Sequence, residues 1–377
     1  MLPADEHAEG IAEVRAIARN VLVPMAARGE PGRVNRPLVK ALADTGLLAR
    51  VFPGTGQTSA IELCVMREAV AAECPEAETA LAVQGLGFHP ILQSGTGAVV
   101  DAWSARVAAG EAVAAFALTE PDAGSDAAAI ALRAEPDGDG WRLTGEKQWI
   151  SNAPDADIYT VFARTTEGAG ARGVTAFAVP GDADGLSGLP IELLAPHAIG
   201  RLTFDGVFVP ADHLLGVPDR GFRVAMTTLD LFRPSVGAAA VGLSQAALEA
   251  AMVWADEREA FGGRLRDLQA VGHKLADMAI AVHAARQVVR DAARAYDESR
   301  GRSPDIGMRS AMAKLLATET AQRVVDDALQ LHGARGLERG HRLEHLYREV
   351  RAPRIYEGAS EIQREIIARA LYRSDDA

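Results

Sequence analysis

The sequence predicts a mainly α-helical protein with a central β domain. An N-terminal helical domain covers residues 1–112, a middle antiparallel, barrel-like β domain covers 113–217, and a C-terminal helical bundle covers 218–377. Three observations carry this reading. At 377 residues the chain is too long for one ordinary core. Its texture changes from helical to β-prone near Glu111 and back again near Phe222. Beyond that point apolar residues recur at helical spacing over runs long enough for a bundle.

Residues 8–110 are alanine-rich with helical periodicity, interrupted at Pro24, Pro31, Pro53, Pro75 and Pro90. Gly85-Leu86-Gly87 is a lone Gly-x-Gly. It lacks a third glycine and a preceding strand, so it does not read as a dinucleotide site. The middle region offers short β-prone runs at 113–118, 141–143, 158–163, 174–179 and 202–209, separated by Gly/Asp/Pro clusters such as Asp137-Gly138-Asp139-Gly140. The sheet should end near 210–221. Farther on, Val271, Leu275, Met278, Val282, Ala285 and Val289 alternate steps of four and three on one helical face. Met308, Met312 and Leu315 open another such face.

Nearly half the residues are apolar and only 5% are aromatic, as in a soluble globular protein. The net charge of −12 argues against general attraction to nucleic acid or an anionic membrane. Cys64 and Cys74 fit neither a disulfide framework nor a metal-ligand pattern, so no metal is expected. Residues 1–20 are charged and amphipathic, without the apolar core of a secretory signal, and no uncharged run approaches the length of a membrane span. A cytoplasmic location without membrane insertion is the expectation. Lysine occurs only at 40, 147, 274 and 314 against many arginines, which reads as coding bias.

The chemistry concentrates near the C-terminus, in Arg354-Ile355-Tyr356-Glu357-Gly358-Ala359-Ser360-Glu361-Ile362-Gln363-Arg364. Ser360-x-x-Gln363 reads as a capping box, with a helix beginning at Glu361 and carrying Ile362, Ile366 and Leu371 inward. Pro353 should stop the helical run through 343–350. Glu357 is left on a tight connection before a glycine. A carboxylate held there among apolar walls would have a raised pKa suited to a general base. A solvated glutamate in a surface turn is the competing reading.

Two further stretches change the balance, Phe116-Ala117-Leu118-Thr119-Glu120-Pro121-Asp122-Ala123-Gly124-Ser125-Asp126 and Gly145-Glu146-Lys147-Gln148-Trp149-Ile150-Ser151-Asn152. With the Glu357 stretch, in this order and spacing, they resemble the acyl-CoA dehydrogenase family over essentially the whole chain. The resemblance implies a C-terminal four-helix bundle, and FAD placed between the sheet domain and that bundle. It also implies α,β-dehydrogenation of an acyl-CoA thioester to the trans-2-enoyl-CoA, with Glu357 removing the α-proton and the flavin taking the hydride.

By the same resemblance, Phe116, Leu118, Thr119 and Ser125 lie along the flavin ring, and Ser125 also faces coenzyme A. Trp149, Ile150 and Ser151 cover the ring and reach the nitrogen that accepts hydride. Glu257-Arg258-Glu259-Ala260-Phe261-Gly262, with Gln269, resembles the segment whose arginine meets the FAD pyrophosphate, usually across a subunit interface. Gln330, Gly333 and Ala334 correspond to the adenosine turn, where the family often has glycine in place of Ala334. Ser360 and Glu361 complete the cofactor set. Asp230, Arg233, Tyr356 and Gly358 are the expected substrate contacts. Some relatives carry the base immediately before the arginine, but here that residue is Phe232, which cannot move a proton. His332 reads as a packed histidine.

The resemblance further implies a homo-oligomer, commonly a tetramer, and electron-transferring flavoprotein as electron acceptor. An acyl-CoA oxidase using oxygen, a dehydrogenase of carrier-protein thioesters and a nucleic-acid-binding flavoprotein are the alternatives within the fold. His341-Arg342-Leu343-Glu344-His345 matches an inverted zinc-peptidase signature and is a competing motif.

Overall fold

The structure, a computed structural model, describes residues 6–54 and 57–372. It contains two compact units. One comprises Met1–Asn20, Ser59–Glu78 and Asp230–Ala377, the other Val21–Thr58 and Thr79–Leu229. The N-terminal helices are thus shared between units: α1 (Ala8–Ile17) and α5 (Ala60–Glu73) belong to the first. Between them in sequence, α2 (Val23–Ala26), α3 (Arg36–Asp44) and α4 (Leu47–Val51) belong to the second. α6 (Pro75–Ser94) starts in the first unit and continues in the second, which also holds α7 (Gly97–Ala108).

The second unit is built on a sheet of β1 (Ala114–Ala117), β2 (Arg133–Asp137), β3 (Gly140–Ser151), β4 (Ile158–Arg164), β5 (Val174–Pro180), β6 (Leu186–Pro190), β7 (Ile199–Pro210) and β8 (Leu214–Leu215). The order is β6-β7-β3-β2-β4-β5-β8, with β1 paired to β4. Most pairs are antiparallel as expected, but β1 and one residue of β2 pair with β4 in parallel. β2 and β6 escape the sequence pattern because charge, Gly and Pro dilute their alternation. Phe88, Ile91, Val107, Ile158, Phe162 and Leu215 form part of one buried cluster under the sheet.

α6 approaches this sheet through Gly87, where a Cβ would lie 2.5 Å from the Ala115 nitrogen. Thr160 Oγ1 donates to the Gly87 carbonyl at 2.8 Å, and Gln84 Nε2 donates to the Ala112 carbonyl at 2.6 Å. The lone Gly-x-Gly is therefore a packing device. Pro90 does not interrupt the helix as expected, since α6 continues to Ser94. One rung is lost, and buried Phe88 and Ile91 hold the turns on either side.

In the other unit, α8 (Gly221–Glu257) contributes its residues from Asp230 onward. A two-strand hairpin of β9 (Glu259–Ala260) and β10 (Gly263–Arg264) leads to α9 (Gln269–Ser299) and α10 (Ile306–His332), with α11 (Arg342–Glu349) and α12 (Ser360–Leu371) after them. The α9 stripe holds from Met278 to Val289, whereas Val271 and Leu275 are half-buried. On α10 the expectation fails. Met308, Met312 and Leu315 are only half-buried, and the buried face is Ala311, Ala317, Ala321, Val324 and Ala328. Small side chains there let backbones meet. Gly242 of α8 lies so close to α5 that a Cβ would be 2.2 Å from the Glu68 carbonyl, and at Gly237 a Cβ would be 2.8 Å from Val289.

α8 is long and apolar enough to cross a membrane by composition, yet 72% of its most apolar window is buried within the protein. Cys64 and Cys74 are both buried free thiols. The described residues contain no cluster of His, Cys, Asp and Glu able to hold a metal ion. The zinc signature resolves into other bonds. His341 accepts the Leu343 amide, Glu344 pairs with Arg348, and His345 lies 3.2 Å from Glu76.

Candidate active site

Glu357 and Gly358 sit in the connection between α11 and α12, and both adopt the left-handed backbone conformation, with φ of 52° and 95°. For glutamate that conformation is uncommon and strained, so the surroundings must enforce it. They do so through the two carbonyls. Arg233 Nε donates to the Glu357 carbonyl at 3.2 Å, and Gln363 Nε2 donates to the same oxygen at 3.2 Å. The Gly358 carbonyl accepts from Gln363 Nε2 at 2.9 Å and from Lys314 Nζ at 2.6 Å. A side chain at position 358 would collide with the Gln363 amide, 2.4 Å from an added Cβ.

The expected capping box is therefore not formed. The Gln363 side chain binds carbonyls of the preceding turn, and its amide donates to Ala359. The Ser360 hydroxyl donates to Glu319 at 2.6 Å. α12 begins one residue earlier than expected, and its buried residue after Ser360 is Gln363. Ile362 and Ile366 are half-buried, and Leu371 is 67% exposed rather than inward. A serine and a glutamine three apart satisfy the capping pattern, but a nearer demand for donors by strained carbonyls wins.

With its backbone clamped, the Glu357 side chain ends in a buried Oε2 that has no hydrogen-bond partner among the described residues. Burial raises its pKa above the ordinary carboxylate value, against the opposing pull of Arg67, Arg233 and Lys314, while Glu78 adds to the rise. Arg67 is held by Glu78 at 2.5 Å and by the Ser235 hydroxyl at 2.7 Å, so its charge is largely committed. Arg233 lies 3.3 Å from Asp230, whose own pKa is raised by burial. Among the described residues no acceptor takes the Glu357 N–H. A proton acceptor of raised affinity next to a free backbone donor is the arrangement that α-proton removal from a carbonyl compound needs.

In the sheet unit the two quoted stretches come together. The Gln148 amide donates to the Thr119 carbonyl at 2.9 Å. Lys147, with 0% exposure, donates to the Leu118 carbonyl at 2.8 Å and to Glu120 at 2.7 Å. Glu120 in turn accepts the amides of Ala131 and Leu132, at 2.5 and 3.0 Å. The β3–β7 ladder shifts register between Lys147 and Ile150, and Trp149 takes a φ of 61°. Its indole is left 47% exposed. Ile150 is buried, Phe116, Thr119 and Ser151 are half-buried, and Ser125 is exposed.

The remaining expected residues are at the surface of the helical unit. Phe261 and Gly262 form the two-residue tip of the β9–β10 hairpin, both with positive φ, and the Phe261 ring is 92% exposed. Arg258 and Arg335 both approach the Trp254 ring, at 5.9 and 5.4 Å from its centre. His332 is packed as expected, stacked on Trp254 at 5.1 Å. Gln269, Gln330, Gly333, Ala334 and Glu361 are exposed. In the sheet unit, an outward indole on a strained strand beside hydroxyls fits a flat flavin ring. In the helical unit, two arginines with no carboxylate partner among the described residues suit a diphosphate.

Three family profiles match in succession: the acyl-CoA dehydrogenase N-terminal domain over residues 4–111, the middle domain over 115–207 and the C-terminal domain over 219–372. The chain belongs to the acyl-CoA dehydrogenase family. The mitochondrial short-chain specific acyl-CoA dehydrogenase of Bos taurus is 37% identical to it, over 96% of this chain and 88% of that protein. The structure of butyryl-CoA dehydrogenase from Megasphaera elsdenii matches with a TM-score of 0.91 and 30% identity, covering 99% of this chain and 100% of that one. An FAD complex of PigA matches with a TM-score of 0.90 and 25% identity, over 98% of each chain. As an acyl-CoA dehydrogenase, this protein is an FAD-dependent oxidoreductase that acts on acyl-CoA thioesters.

Four residues with roles in this geometry, Lys147, Glu120, Lys314 and Gln363, had no place among the expected site residues. The signal available for two of them was their type. Lysine occurs at four positions only, and two of these, Lys147 and Lys314, are fully buried. Burying an ammonium is costly unless each donor is used. The reading of lysine usage as coding bias passes over that.

Proposed function

We propose that the enzyme converts an acyl-CoA thioester to its trans-2-enoyl-CoA, with Glu357 as the base that removes the α-proton. The single observation that carries this is the buried, partnerless Oε2 of Glu357 on a turn whose carbonyls are held by Arg233, Lys314 and Gln363. The substrate carbonyl accepts the Glu357 N–H, which draws charge from the α-carbon and makes its proton removable. Phe232, buried at the place some relatives use for the base, leaves Glu357 alone in that role.

FAD, when bound, supplies the hydride acceptor for the β-carbon. Phe116, Leu118, Thr119, Ser125, Trp149, Ile150 and Ser151 would hold the flavin end. Arg258, Phe261, Gln269, Gln330, Gly333, Ala334, Ser360 and Glu361 would hold the rest, some of them toward the FAD of a neighbouring subunit. That division of labour makes the enzyme a homo-oligomer, a tetramer by family resemblance. Asp230, Arg233, Tyr356 and Gly358 would meet the substrate, and electron-transferring flavoprotein would take the electrons.

The test is anaerobic flavin reduction by a panel of short, branched, long and cyclic acyl-CoAs, followed by Glu357→Gln. The substitution keeps the side-chain size and the backbone N–H, so FAD content and ligand binding are expected to survive. Reduction should slow by at least the ~10²–10⁴-fold of a lost general base. Reduction by the variant at the unsubstituted rate refutes the mechanism. Fast re-oxidation in air with peroxide production identifies an oxidase instead.

A further inference from the structure

We propose that Lys314 is a positioning residue for Glu357, clamping the turn through the Gly358 carbonyl and setting a positive charge in the surroundings of the carboxylate. The proposal rests on the reading of Glu357 as the base.

The geometry is specific. Lys314 lies on α10 with 0% exposure, and its ammonium donates to Gly358 at 2.6 Å. No carboxylate among the described residues lies within ion-pair distance of it. A neutral donor would serve if the carbonyl alone needed satisfying, and Gln363 already supplies one at 2.9 Å. The second donor is a buried cation, which is expensive to retain without a use for its charge. In a chain where arginine is the usual cation, a lysine here is also a matter of shape. A compact ammonium reaches one carbonyl, whereas a planar guanidinium presents a fork of donors.

The charged groups that act on this pair come from five helices and the turn itself. Glu357 faces Arg67 on α5, Glu78 on α6, Arg233 on α8 and Lys314 on α10. Lys314 faces Glu357, Arg233, Glu319 on its own helix and Glu361 on α12. Arg67 and Arg233 stay charged at every working pH. Lys314 differs, because burial brings its pKa down to about 8. It is therefore the one cation of the three that titrates near neutrality. While charged, it favours the ionised form of Glu357 and holds the turn. Once neutral, it does neither as well.

The experiment compares FAD-loaded Lys314→Met, Lys314→Gln and Glu357→Gln with the unsubstituted enzyme. The probe is butyryl-CoA, or whichever panel thioester the unsubstituted enzyme turns over fastest, and the readout is anaerobic flavin reduction across pH. Loss of the cation makes Glu357 easier to protonate. The acidic limb should move to higher pH in both lysine variants, because an opposite charge that favours the ionised carboxylate is gone. Lys314→Gln keeps a donor for Gly358 and should retain more of the limiting rate than Lys314→Met, with KM little changed in either. If Lys314→Met does not load FAD, the limb in Lys314→Gln decides. An unmoved acidic limb, with Glu357→Gln inactive, overturns the assignment of Lys314 alone. A Glu357→Gln variant as fast as the unsubstituted enzyme removes the base reading and this proposal together.

Discussion

Replacing Lys147 by methionine isolates the polar pin beneath the Leu118–Glu120 stretch. Lys147 is fully buried and Glu120 is 5% exposed, with 2.7 Å between the ammonium and the carboxylate. Removing one partner of such a pair leaves the other charge buried, at about 3–5 kcal/mol. Here Glu120 keeps two backbone donors, the amides of Ala131 and Leu132, which places the loss at the lower end, about 3 kcal/mol. The Leu118 carbonyl also loses its donor. For a cooperative unit of this size about 1 kcal/mol moves Tm by ~2–4 °C, so a fall of ~6–12 °C is expected. Thermal melts of FAD-loaded protein at fixed protein and cofactor concentration would measure it. Lys147→Met/Glu120→Gln should recover part of the loss, because no charge is then stranded. A single variant melting within about 2 °C of the parent would show that the pair carries no net stability. A double variant no better than the single would show that the stranded carboxylate is not the cause.

Four further outcomes follow from the structure. Arg258→Ala should weaken FAD retention on dilution by about 1.5–3 kcal/mol, the worth of a charge-assisted hydrogen bond, and unchanged retention would make Arg258 a surface residue only. Gly87→Ala places a Cβ 2.5 Å from backbone that cannot turn aside, so overpacking of about 1–3 kcal/mol should appear as a lower Tm of the sheet unit. For Glu357, burial raises the carboxyl pKa, so the folded state holds its proton more tightly than the unfolded chain does. Ionisation of this one group thus opposes folding above the ordinary carboxylate range, and Glu357→Gln should raise Tm slightly at neutral pH, vanishing as pH falls. By the same shift, flavin reduction by the unsubstituted enzyme should decline on the acid side above the ordinary carboxylate range.

The sequence made the helical, β, helical order legible because periodicity reports burial wherever one face of an element is wet. It failed where burial is enforced from elsewhere. Pro90 stays helical because Phe88 and Ile91 are held, and the buried face of α10 is alanine because neighbouring backbones lie close. Glu357 was legible as a glutamate on a tight connection before a glycine, and the structure puts it in such a connection with a φ of 52°. What holds it was not. Lys314 is 43 residues upstream of Glu357, and no local pattern marks a side chain that serves a distant carbonyl. Ser360 and Gln363 show the opposite error: a correct local motif displaced by stronger partners.

The buried small-residue stretch of α8 limits how this protein can change. At Gly237 and Gly242, and at alanines 238, 239, 240, 246, 247, 251 and 255, there is almost no side chain left to remove. Nearly every substitution there adds atoms, so harm on this helix comes from wedging rather than from voids. A mutational scan should find tolerance ordered by volume, with serine surviving at the alanine positions, leucine failing there, and even alanine failing at Gly242. Variation that spares the fold has more room at exposed positions outside this helix and outside the stretches assigned to FAD. For a library aimed at new thioesters, α8 is best held to the smallest residues.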